Sequence, residues 1–181
     1  MKTSYGIKNP SLEDEQSVKK YLLKQHIDTS NVYVFKDLNS YSAASKMKML
    51  SIPEAMFFNK DGYFVPYKEE AVNCNANVNK FIMDISAFSE KPADETKKMD
   101  NLMAIIVSTN NKQPQRADIN VFITWAKFAG KLNREKAFDW IDLLQKAKAQ
   151  GIKVNYYLLN CDFQKSWGIP KDLQEKLGIK S

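Results

Sequence analysis

Short runs of β-branched and aromatic residues recur along the chain, and stretches with the spacing of amphipathic helices separate them. The strongest run is residues 119–126, and others lie at 32–35 and 152–159. Each has about the length of one buried strand. Because strands and helices alternate, the sequence predicts an α/β fold in which helices flank a mixed sheet.

A β-hairpin is predicted in the first half of the chain. One apolar run begins directly after Pro53, and a second begins at Tyr63. Between them, residues 59–62 read Asn-Lys-Asp-Gly, and a glycine at this place tolerates the positive φ that a tight turn needs. Residues 77–88 then follow with a helical pattern.

A long helix is expected after the strand at 119–126. Asn133 is a suitable N-cap, and Gly151 is suited to the position that follows a helix. Between them, residues 134–150 carry an apolar stripe at helical spacing. The stripe consists of Phe138, Ile141, Leu144 and Ala147.

A polar, charged stretch that contains Pro92 predicts a linker at residues 89–101. It divides the chain into a first part, 1–88, and a second part, 102–181. The second part is expected to begin with a strand at 102–107.

The net charge is positive, with 27 Lys and Arg against 21 Asp and Glu. Only Arg116 and Arg134 are arginines, and the lysines are dispersed among acidic residues. Recognition of phosphates and guanine edges favours the guanidinium fork, whereas lysine suits a solvated surface. We therefore expect no nucleic-acid partner.

Metal and cofactor sites are not predicted. The chain has one histidine, His26, and two cysteines, which do not easily make a zinc site of three or four such ligands. His26 stands at a helix end, where it favours the helix dipole. The glycines are scattered singly, so no phosphate-binding loop is present. No cofactor is expected.

No apolar run is long enough to span a membrane, and residues 1–10 lack the apolar core of a signal peptide. Two locations stay open. The protein is cytoplasmic, or it belongs to the periplasm or cell envelope and its export segment has been removed.

Two segments resemble the thioredoxin-like superfamily. The strand at 119–126 ends in Trp-Ala-Lys-Phe-Ala-Gly-Lys-Leu and runs into a helix, as the active-site strand of thioredoxins does. On that pattern Ala129 and Leu132 occupy the two cysteine positions, and Gly130 keeps the glycine. Ser51-Ile52-Pro53 with its hairpin is similar to the cis-proline loop and the last two strands, and residues 77–88 are similar to the closing helix.

The order of these segments differs from that of the family. In thioredoxins the helix-start motif precedes the cis-proline loop, whereas here Pro53 lies upstream of Ala129. The sequence leaves two arrangements open: a circularly permuted single domain, or two incomplete copies packed together. We favour the first, because neither half has enough strands for a core of its own.

The resemblance implies a protein that binds rather than one that exchanges thiols. Dithiol exchange needs a thiolate at a helix N-terminus and a second, resolving thiol, and Ala129 and Leu132 supply neither. In this superfamily the backbone beside the cis-proline binds extended peptides, a role that Ile52 would inherit. The predicted binding residues are Ile52, Pro53, Trp125, Phe128, Ala129, Gly130 and Leu132.

The resemblance also implies a bacterial, envelope-associated protein with a protein or peptide partner. A first alternative is a thiol oxidoreductase that uses Cys74 or Cys161, which stand outside the family's cysteine positions. The two thiols are unpaired, or they form a disulfide. A second alternative is an immunity or accessory protein of a bacterial secretion system. The oligomeric state is left open.

Overall fold

The computed structural model describes residues 6–66 and 74–180, except for the side chains of residues 74–77. It contains a mixed sheet of seven strands in the order β4-β3-β2-β6-β7-β1-β5. The strands are β1 Val32–Phe35, β2 Glu54–Asn59, β3 Tyr63–Val65, β4 Asp94–Lys98, β5 Ile106–Ser108, β6 Ile119–Trp125 and β7 Val154–Asn160. The predicted α/β class with a mixed sheet is confirmed.

Helices flank this sheet. The α-helices are α1 Glu15–Lys24, α2 Leu38–Lys46, α3 Cys74–Met83, α4 Met99–Met103, α5 Asp139–Ala149 and α6 Lys171–Lys176. Short 3-10 turns lie at Ile85–Glu90, Lys127–Ala129 and Lys165–Trp167. In the described part of the chain, no helix has both the length and the apolar character to cross a membrane.

Strands β6, β7 and β1 run parallel at the centre of the sheet. On one side β2 pairs antiparallel with β6, and β3 and β4 continue the antiparallel order. On the other side β5 pairs antiparallel with β1. The first and second parts of the sequence therefore contribute neighbouring strands to one sheet.

The side chains of β6 are all buried, because both faces of the sheet are covered. Successive side chains of a strand point to opposite faces. Val121, Ile123 and Trp125 belong to one hydrophobic cluster, together with the predicted stripe of α5. Phe122 belongs to a second cluster on the other face, with residues of β1, β2 and α4.

The segment predicted as a linker, 89–101, is instead structured. It contains β4 and the start of α4, and β4 pairs with β3 at the edge of the sheet. Its polar composition reflects an edge position, because the outer strand of a sheet is largely exposed to water. The apolar run at 102–107 is split between the end of α4 and the strand β5, which begins at Ile106.

The predicted hairpin between β2 and β3 is confirmed. Asn59 Oδ1 accepts hydrogen bonds from the backbone N–H groups of Asp61 and Tyr63, at 3.1 and 2.9 Å. Gly62 has a φ of +83°. The Asn59 side chain thus pairs two backbone N–H groups of the turn, and Gly62 permits the left-handed conformation that the turn requires.

Helix α1 ends in a Schellman motif that places His26 in the left-handed region, with a φ of 58°. The N–H of His26 donates to Leu23 O and the N–H of Ile27 donates to Leu22 O, each at 3.0 Å. Glycine usually fills this position, because a side chain there meets the following carbonyl.

We predict that His26→Gly stabilises the protein by about 0.5–1 kcal/mol, because it removes this steric cost at an exposed position. Lys20→Gly, in the exposed interior of the same helix, should lower stability by about 1 kcal/mol. Urea unfolding of the two variants measures both effects. Equal losses of stability in both variants would contradict the assignment of His26 to the left-handed position that ends α1.

Candidate peptide-binding site

The Ile52 loop, residues 51–54, lies beside the carboxyl end of β6. Thr124 Oγ1 donates to Ser51 O and accepts from the N–H of Glu54 at 2.8 Å. Glu54 is also the β-pairing partner of Thr124. The Ile52–Pro53 peptide bond in this loop is cis. The buried threonine therefore holds both sides of the loop against the central strand.

Ile52 itself makes no backbone hydrogen bond to any described residue. Its side chain is half-buried and packs against the second hydrophobic cluster. The loop is thus anchored on either side of a residue whose own N–H and C=O are unpaired within the described chain. These two groups are available to the backbone of a partner, because strand addition uses unpaired donors and acceptors.

The 126–132 segment continues from the same end of β6 and leads to the long helix. It forms a 3-10 turn at Lys127–Ala129, and Gly130 then follows with a φ of +60°. A π-helical stretch, Asn133–Phe138, continues into α5. The predicted helix is therefore present, but it does not begin with a cap at Asn133.

Asn133 has a different role, because its side chain is fully buried and bonds to backbone seven residues earlier. Its Nδ2 donates to Ala126 O at 2.8 Å, and its Oδ1 accepts from Ala126 N at 3.4 Å. Nδ2 also donates to the hydroxyl of Tyr21 at 3.1 Å. A single amide side chain therefore closes the 126–132 segment onto the end of β6.

The predicted binding residues differ in exposure. Five of them, Ile52, Pro53, Phe128, Gly130 and Leu132, are half-buried, and Ala129 is only 3% exposed. Ile52 and Phe128 pack against the same hydrophobic cluster as Ala126.

Trp125, one of the predicted binding residues, does not lie on the surface. The residue is 0% exposed and belongs to the cluster on the opposite face of the sheet from Ile52 and Phe128. Its ring stacks on Tyr21, with centroids 5.6 Å apart. The reason is strand alternation, which turns Trp125 away from the face that Ala126 occupies.

An N-terminal segment, residues 6–14, passes beside this site, which the sequence did not indicate. The N–H of Lys8 donates to Phe128 O at 2.9 Å, and the N–H of Glu13 donates to Phe163 O at 2.8 Å. Glu13 is 6% exposed and forms an ion pair with Lys127. The segment is thereby fastened to the turns that follow β6 and β7.

A second buried carboxylate, Asp162, lies after β7 beneath the same turn. Its Oδ2 accepts from the backbone N–H of Lys127 at 2.8 Å and from Asn160 Nδ2 at 2.7 Å. Lys127 thus links two acids, one through its ammonium group and one through its backbone. The acidic residue two positions after the end of a buried strand is the signal in the sequence that could have indicated this cluster.

The pKa values of these two carboxyl groups are shifted in opposite directions. Burial raises the pKa of Glu13, but hydrogen bonds from Lys127, Ser17 and Ser11 outweigh it and hold the pKa below its usual value. Burial raises the pKa of Asp162 to about 6, and the nearby negative charge of Glu13 adds to this effect. The carboxylate at 13 therefore keeps its charge at a pH where Asp162 takes up a proton.

Cys161 lies beside the carboxyl end of β6, where its backbone N–H donates to Trp125 O at 2.8 Å. Cys161 is a free cysteine with 0% exposure, and burial raises the pKa of its thiol well above the usual value. Cys161 therefore forms no disulfide bond. Cys74 begins α3, and its side chain lies outside the described residues. Among the described residues, no cluster of His, Cys, Asp or Glu is suited to hold a metal ion.

Comparison of the chain with protein-family models, curated proteins and solved structures finds no significant match. The resemblance to thioredoxin-like proteins therefore rests on the sequence motifs quoted above.

We predict that the contribution of Asp162 to the stability of the protein falls as the pH rises from about 4 to about 6.5, because folded Asp162 binds a proton more tightly than the unfolded chain does. Asp162→Asn keeps an oxygen acceptor for both hydrogen bonds and removes this penalty. Relative to the unchanged protein, the variant should gain up to about 3 kcal/mol at pH 7.5 and little at pH 4.5. Urea unfolding at both pH values, with the exposed Asp172→Asn as control, measures the difference.

We also predict that Asn133→Ala lowers the free energy of unfolding by about 1–3 kcal/mol, because the buried N–H of Ala126 loses its acceptor and Ala126 O keeps only the hydrogen bond from Ala129 N–H. The exposed Asn101→Ala should change stability by less than about 0.5 kcal/mol. Chemical denaturation and the amide NMR resonances of residues 126–132 report the effect. A loss no larger than that of the control would show that this side chain does not hold the segment.

Proposed function

We propose that this chain is a thioredoxin-like protein whose segments occur in permuted order, and that it binds an extended peptide at the Ile52 loop without dithiol chemistry. The strand arrangement supports this reading. β6, α5 and β7 form a parallel β-α-β unit, and β2 with its hairpin partner β3 pairs antiparallel beside β6. Helix α3 packs against α5, where the resemblance expects the closing helix.

The observation that carries the proposal is the unpaired backbone of Ile52. Its N–H and C=O have no described partner, although the residues on either side of it are fastened to Thr124. An extended peptide that pairs with Ile52 would satisfy these groups and would lie close to the half-buried Phe128.

The thiol chemistry argues for binding over catalysis. Ala129 and Leu132 carry no sulfur, and the Cys161 thiol is buried with a raised pKa. Thiol exchange needs an accessible thiolate, which burial in apolar surroundings disfavours. Cys161 is therefore poorly suited to the alternative role of a thiol oxidoreductase.

The test is selection of peptides from a random heptapeptide display library on the immobilised full chain, followed by NMR titration of the ¹⁵N-labelled protein. We expect the selected peptides to shift the amide resonance of Ile52 and those of residues 126–132, and to slow hydrogen exchange of the Ile52 N–H. Phe128→Asp should weaken binding by about tenfold or more, because it places a charge beside the bound apolar side chain.

The matched control is Val107→Asp, which places the same charge on the exposed edge strand β5. It should leave peptide affinity unchanged. Peptides that shift only amides remote from Ile52, or a selection that yields no binder, would refute the proposal.

A further inference from the structure

A cavity of about 230 Å³ opens next to the Ile52 loop. Ser51 and Glu54, the first and last residues of the loop, both line it. The cavity extends from there along β2 and the end of β3 to the edge strand β4. A peptide that pairs with Ile52 therefore passes the mouth of this cavity.

The floor of the cavity is apolar and suited to an aromatic ring. Met49 and Met56 are 5% and 3% exposed, and the half-buried ring of Phe64 completes the lining. Thioether sulfurs and ring edges make favourable contacts with aromatic side chains. A dry cavity of about 150 Å³ is known to hold benzene, so this one is large enough for one phenyl group.

The rim carries two ammonium groups that differ in their partners. Lys97 lies 3.6 Å from Asp94 and stands 5.2 Å from the ring centroid of Phe64. Lys48 is exposed and makes no side-chain hydrogen bond or ion pair with any described residue. Its backbone is held in the turn that ends α2, with a φ of 57°. The unpaired cation at the mouth of the cavity favours an anionic partner.

Glu54 is the acidic residue among those that line the cavity. Its Oε1 accepts from the N–H of Ala55 at 3.2 Å, so it is engaged by its own strand. The lining thus carries two lysines, Lys48 and Lys97, against this one carboxylate, so its net charge is positive.

We infer that this cavity receives one aromatic side chain of the peptide bound at Ile52, and that Lys48 pairs with an acidic residue next to it. The inference rests on the proposed function and makes it more specific. The partner is then an extended segment with an aromatic residue beside an acidic one.

The inference is tested with four blocked hexapeptides of the form Ser-Thr-X-Y-Thr-Ser, in which X is Phe or Ser and Y is Asp or Lys. The dissociation constant of each is measured by NMR titration of the full chain. We expect the Phe-Asp peptide to bind tightest. Changing Phe to Ser should weaken binding by about tenfold or more, and changing Asp to Lys by about threefold.

Two variants locate the effect. Lys48→Glu should reverse the preference between Asp and Lys at Y, whereas Lys60→Glu, in the β2–β3 turn, should leave it unchanged. Ser51→Trp places a bulky side chain at the mouth of the cavity and should abolish the preference for Phe. Both positions are exposed, and the amide spectrum without peptide shows whether each variant is folded. If a variant does not fold, the four peptides on the unchanged protein still decide the question.

The outcomes separate the two proposals. If peptides shift the Ile52 amide but bind equally whatever stands at X and Y, the cavity assignment is overturned and the proposed function is retained. If no peptide, including those selected from the library, shifts that amide, both are overturned. Reversal of charge preference by Lys48→Glu supports both.

Discussion

The burial of β6 on both faces is the constraint on which the rest of the structure depends. Each of its seven residues lies in the interior, so a layer of helices has to cover each face of the sheet. Its two neighbours come from opposite parts of the sequence, β2 from the first part and β7 from the second. The core therefore requires both parts of the sequence. The second part contains β6 and β7, but the strand that covers the other side of β6 is β2, from the first part.

The carboxyl end of β6 shows how this burial shapes the candidate site. Beyond Trp125 the chain has to turn while its backbone is still buried, so its N–H and C=O groups need partners. Asn133 accepts from the N–H of Ala126 and, together with the N–H of Ala129, donates to its C=O, and Asp162 accepts from the N–H of Lys127. The turn at residues 126–132 contains no cysteine, and side-chain amide and carboxylate groups hold it in place. Thr124 holds the neighbouring Ile52 loop in a similar way through Ser51 and Glu54. The backbone of Ile52 makes no hydrogen bond to any described residue.

Much of the fold could be predicted from local sequence patterns, because the strands and the hairpin depend on β-branched runs and on the turn at Gly62. Three features could not. Asn133 at a helix start normally caps it, and its contact with Ala126 exists only once β6 and the helix are packed. The pairs of Lys127 with Glu13 and Asp162 join residues 114 and 35 positions apart, which no local pattern reports. The face on which Trp125 lies follows from the register of β6, which the length of the run alone does not define.

The edge strand β4 carries a further consequence. Its sequence, Asp-Glu-Thr-Lys-Lys, places charged side chains along the outer border of the sheet, and Lys97 and Lys98 lie over the rings of Phe64 and Tyr63. A new strand that aligned there would have to bury several of these charges, which protects the border against pairing with another molecule. The opposite border, β5, is only three residues long. Both borders of the sheet therefore disfavour pairing with another strand, whereas the proposed peptide site lies at the end of the interior strand β2.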